Sequence, residues 1–158
     1  MRRTVERVRV ESHGAPPKLP ASLSALPTER RRKLDGLVAL GALMSLVAEA
    51  DEDFDAGEEK AIRRILGKQG GLEESELALV MAASREARQS EIGLYPFTKE
   101  YARKPYADRI QLLEQLFRVA FADKKLHLME LETIRKVSRL CWVTPKDFIE
   151  VKLRISKE

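Results

Sequence analysis

Two sets of side chains with metal-ligating chemistry recur at one spacing: Asp51, Asp55 and Glu58, then Asp123, His127 and Glu130, each 72 positions after its counterpart. In both copies an apolar residue, Phe54 or Leu126, stands three places after the first Asp, and the Glu stands seven places after it. Clustered carboxylates are hard oxygen donors. The chemistry they offer is binding of a divalent cation, with calcium or magnesium favoured over zinc.

Helices must position these groups. Val47-Ala48-Glu49-Ala50-Asp51 and Val119-Ala120-Phe121-Ala122-Asp123 each close an apolar helical pattern, and helical periodicity resumes after the next Glu. Glu58 precedes Ile62 by four residues and Ile65 by seven, so the three share a helix face; Glu130 stands in the same relation to Ile134 and Val137. Both carboxylates therefore point toward the apolar interior or its rim, where a charge must find a donor or a cation. Two readings answer that need. Asp55-Ala56-Gly57-Glu58 has the form of a capping box, and His127-Leu128-Met129-Glu130 is a poorer version because His is a less favoured N-cap. Caps leave Asp51 and Asp123 at the ends of the first and fifth helices, where the dipole disfavours negative charge and invites a cation.

Asp51, Asp53 and Asp55 take the first, third and fifth places of an EF-hand loop, but the pattern then fails. Ala56 stands where the loop needs Gly, and Ile62 stands where a bidentate Glu should close the site. Enzymatic signatures are lacking as well. His13 and His127 adjoin no plausible nucleophile, and the sequence has no phosphate loop, no Gly-x-Ser-x-Gly, no His-Glu-x-x-His and no Glu-x-x-His. Cys141, followed by Trp142 and Val143, reads as packing. A non-catalytic protein is expected.

The remaining periodicity predicts an all-α bundle of about six or seven helices with an internal pseudo-twofold repeat, its halves spanning about 34–90 and 106–155. A first helix begins near Thr28. A second runs from about Asp55 to Lys68 and stops at Gly70-Gly71, and a third runs from Glu73 to about Ser90. The segment Gly93 to Pro105 is aromatic-rich, with a short helix over Phe97 to Arg103; its Tyr95, Phe97 and Tyr101, with Tyr106, are expected to cover the core. Long helices over Tyr106 to Ala122 and Leu128 to Leu140 follow. Thr144-Pro145-Lys146-Asp147 then announces a last helix, with Thr as N-cap and Pro at the first position, that turns Phe148, Val151 and Ile155 inward.

Residues 1–28 read as a basic, proline-rich, flexible tail ahead of a helical domain at 29–158. Residues 1 to 33 hold nine Lys or Arg against three Glu, a balance of +6, and the rest of the chain is −2 out of a net +4. Such an arm is more often solvated than bound, so nucleic-acid binding is not expected. One cysteine excludes a disulfide within the chain and fits a reducing compartment. The longest apolar run, Leu37 to Ala48, falls short of the roughly 20 residues of a membrane span, and no apolar h-region follows the N-terminal arginines. A cytoplasmic location is expected.

The doubled Ala-Asp, apolar at plus three, Glu at plus seven pattern resembles the TerB-like proteins, named for tellurite resistance, over roughly Leu34 to Ile155. The resemblance implies an all-helical fold of two related halves whose acidic motif residues, here Asp51, Glu58, Asp123 and Glu130, gather on one face and associate with divalent metal. It also implies a non-enzymatic binding or scaffold module of a bacterial stress-response system with protein partners, some members lying near the inner membrane. Glu52 and Lys124 stand where the family usually has Gly directly after each motif Asp. The alternative is a structural adaptor whose acidic corners are only helix caps, with the basic arm or aromatic linker holding the partner.

Overall fold

A computed structural model describes residues 27–50, 56–89 and 93–158 of the chain. Its first helix, α1 (Thr28–Ala48), is apolar on nearly every side beyond Leu34, a pattern that suits only the centre of a bundle. Five helices pack directly on it: α2 (Ala56–Gly70), α3 (Glu74–Gln89), α4 (Tyr95–Ala102), α5 (Tyr106–Ala120) and α6 (Leu128–Leu140). The last, α7 (Pro145–Ser156), packs on α5. The described residues form seven helices and no strand, an all-α bundle as expected.

The closest crossing joins α1 to α3 and depends on a missing side chain. A Cβ on Gly41 would lie 2.2 Å from Ser84 Oγ and 2.9 Å from its Cβ. With glycine there, the Ser84 hydroxyl donates to the Val38 carbonyl at 3.2 Å across the crossing. On the far side of the core, Phe117 of α5 meets Phe148 of α7 with ring centroids 5.5 Å apart, and Phe148, Val151 and Ile155 are buried as their spacing requires.

Local signals explain most helix ends. Asp147 donates its backbone N–H to Thr144 Oγ1 at 3.2 Å, and Pro145 opens α7. Gly71 takes φ +59° just past α2 while Leu72 N–H reaches back to the Gly67 carbonyl at 3.1 Å, a Schellman ending. Several ends differ from expectation. The third helix begins at Glu74, one residue late, and its described residues run to Gln89. The short helix begins at Tyr95, not Phe97, because Pro96 fits its first turn, where no backbone N–H is required. α5 ends at Ala120, two residues early, as the Ala122 N–H bonds Val119 O at 3.1 Å and tightens the last turn. Phe97 and Tyr101 cover the core, whereas Tyr95 and Tyr106, expected to do the same, are 59% and 36% exposed.

Helix boundaries recur in step with the sequence pattern. α1 and α5 stop at Ala48 and Ala120, and α2 and α6 start at Ala56 and Leu128, again 72 positions apart. The terminal bonds match: Glu49 N to Ser45 O (3.0 Å) and Ala50 N to Val47 O (3.2 Å) correspond to Phe121 N to Phe117 O (2.8 Å) and Ala122 N to Val119 O. Among the described residues, no helix is long and apolar enough to cross a membrane.

Candidate functional site

The second acidic corner, between α5 and α6, is held by its own carboxylates. Because α5 stops at Ala120, Asp123 is not a helix-end residue as expected; it lies three residues beyond. There its Oδ1 accepts the Lys125 backbone N–H at 3.0 Å, closing an Asx turn, and its Oδ2 lies 3.3 Å from His127 Nε2. The residue enclosed by that turn, Lys124, takes φ +65°, so the conformation that Gly would favour is kept without Gly.

His127 is extended, at φ −79° and ψ 149°, and serves as the N-cap of α6. Its backbone N–H donates to Glu130 Oε1 at 3.1 Å, and its side chain faces the Glu130 backbone N–H to complete a capping box. Glu130 is fully buried, on the same face as Ile134 and Val137. A carboxylate so placed is directed at its own helix terminus, where partial positive charge stabilises it. Lys124 and Lys125 flank the corner.

The first corner, between α1 and α2, is described only in part. Glu58 lies in the first turn of α2 and is 2% exposed, above a buried Ile62 and Ile65, in the place Glu130 takes in α6. Glu49, which caps α1, pairs with Arg88 of α3. Asp51 and Asp55 lie outside the described residues, as do the tail over residues 1–26 and residues 90–92. Among the described residues, no three His, Cys, Asp or Glu are placed to hold a metal ion together.

A third corner, between α6 and α7, holds a residue whose role its sequence neighbourhood hides. Cys141 and Val143 are buried, but Trp142 between them is 76% exposed and takes φ +60°. Its N–H bonds Arg139 O at 3.1 Å and Val143 N–H bonds Ser138 O at 3.0 Å, the same Schellman ending for which α2 uses Gly71. A bulky residue in that region is an outlier and persists only where its surroundings hold it. Arg109 supplies the hold, donating to the Cys141 and Trp142 carbonyls at 3.1 and 3.3 Å while stacking 4.9 Å over the Tyr106 ring. The Tyr106 hydroxyl donates to Asp147 at 2.5 Å, which keeps that carboxyl below its ordinary range. The visible signal was a Trp in the place after a helix where glycine is usual. Burial pushes the Cys141 thiol up to about 11, so it packs rather than reacts.

The profile of the family described as tellurite resistance protein TerB matches residues 37–153, which takes in all of α2 to α6, most of α1 and α7, and all three corners. Comparison with curated proteins and with solved structures gives no match. With its helical bundle and paired acidic corners inside the matched region, this chain belongs to the TerB family.

Proposed function

We propose that the protein is a non-catalytic interaction module whose first acidic corner takes a divalent cation and whose second corner is a structural cap. One observation carries this reading: the second corner's acids already serve its own backbone, Glu130 through the His127 N–H and Asp123 through the Lys125 N–H. A cation there would have to replace those bonds beside two lysines. The first corner has the opposite balance. Residues 49–59 contain seven Asp or Glu and no Lys or Arg, and the buried Glu58 closes the set. Asp51, Asp55 and Glu58 are its ligands, and calcium or magnesium is the cation such oxygens suit.

The module's work is to hold protein partners in a tellurite-resistance-like stress response. The exposed Trp142 fits that role, since exposed aromatics at strained positions are a costly ornament unless something binds them. Thermal-shift titration with calcium, magnesium and manganese tests the cation. Melting should rise with concentration, by the equivalent of about 2.7 kcal/mol at a hundred times Kd. The rise should vanish in Asp51→Asn with Glu58→Gln and persist in Asp123→Asn with Glu130→Gln. If wild type and the first-corner variant melt alike at every concentration, both corners are caps and the protein is an adaptor without a cation.

A further inference from the structure

We infer that the groove between α2 and α5 binds a small polyanion bearing phosphoryl groups, in a place where the chain's own Glu158 now occupies the anion position. The groove encloses about 690 Å³ and is lined by Arg64 and Lys68 from α2, Gln111, Gln115 and Arg118 from α5, and Glu158 after α7. A second cavity of about 230 Å³ shares Gln69, Gln111 and Gln115 with it and is also lined by Lys104 and Asp108. Three cations face one acid in the main groove, on a chain whose residues beyond 33 are net acidic.

Arg118 shows how an anion would be held. Its Nε and Nη2 donate to the two carboxylate oxygens of Glu158, each at 2.9 Å, in the two-pronged geometry that a guanidinium offers equally to carboxylate and phosphate. Its Nη1 donates to Gln115 Oε1 at 3.2 Å, and Gln115 Nε2 donates in turn to Gln69 Oε1 at 3.1 Å, so the groove floor is ordered from the same guanidinium. The pairing holds the Glu158 carboxyl below its ordinary range, yet the contact is exposed and so weakly held. A ligand with several charged oxygens can displace Glu158 and engage Arg64 and Lys68 as well, which a single carboxylate cannot. Glu114 of α5 is paired with Arg154 at 2.9 Å.

The test is titration of the full chain, free of divalent cations, with inorganic tripolyphosphate and separately with citrate, read by calorimetry and by the side-chain amide signals of Gln69, Gln111 and Gln115. Tripolyphosphate should bind saturably and move those signals. Arg64→Gln with Lys68→Gln, both exposed positions, should weaken binding at least about tenfold. Glu158→Gln should strengthen it severalfold, while Glu132→Gln, which removes the same charge from α6, should leave it within about twofold. Absence of saturable binding, binding indifferent to the α2 substitutions, or equal effects of Glu158→Gln and Glu132→Gln would overturn the site. Tighter binding of citrate would overturn its phosphoryl assignment.

Discussion

Seven acidic residues and no basic one lie between Glu49 and Glu59; in the corresponding stretch from Phe121 to Leu131 there are two acids, with Lys124, Lys125 and His127 beside them. Both stretches join helices whose ends recur in step, and both bury a Glu in the first turn of the following helix. The difference teaches that one corner design can carry two opposite charge balances. At the second corner, hydrogen bonds to backbone and imidazole satisfy the acids. At the first, Glu49 is paired with Arg88 of α3, and the proposed cation would balance the remaining negative charge.

The largest expected effect separating the corners is on stability without cations. Glu130→Ala removes a buried acceptor and its half of the capping box, and should cost about 2 kcal/mol in urea unfolding. Glu58→Ala should cost less in the same buffer, because it also relieves repulsion within an acidic segment. Equal costs would break the comparison. Next come the strained turns. Lys124→Gly should stabilise by about 1 kcal/mol, and Trp142→Gly by a similar amount, since each removes a side chain from the left-handed region. A loss of stability in Lys124→Gly would mean that the second corner relies on more than its hydrogen bonds. The smallest effect is expected from Asp123→Asn with Glu130→Gln, within about 0.5 kcal/mol, because both amides can accept the bonds the acids accept now. A loss above about 2 kcal/mol would show that charge itself is needed there.

Much of this architecture was legible because it rests on local rules. Thr28 as the start of α1, Gly71 as the end of α2 and Thr144-Pro145 as the start of α7 follow from residue chemistry within a few positions. The inward face of Glu58 and Glu130 followed from helical period, and their burial agrees with it. Asp123 escaped correct placement because the end of α5 is set by a tightened last turn at Val119 to Ala122, which periodicity does not register. Trp142 escaped for a different reason. Its conformation is fixed by Arg109, more than thirty residues earlier, and an apolar neighbourhood in sequence said nothing of that. The glutamine groove likewise exists only once α2 and α5 lie side by side.

Calcium titration by calorimetry addresses the unequal corners most directly. One cation per chain should bind to wild type and to Asp123→Asn with Glu130→Gln, and none to Asp51→Asn with Glu58→Gln. Two cations per chain, or binding abolished by the second-corner substitutions and not by the first, would contradict it.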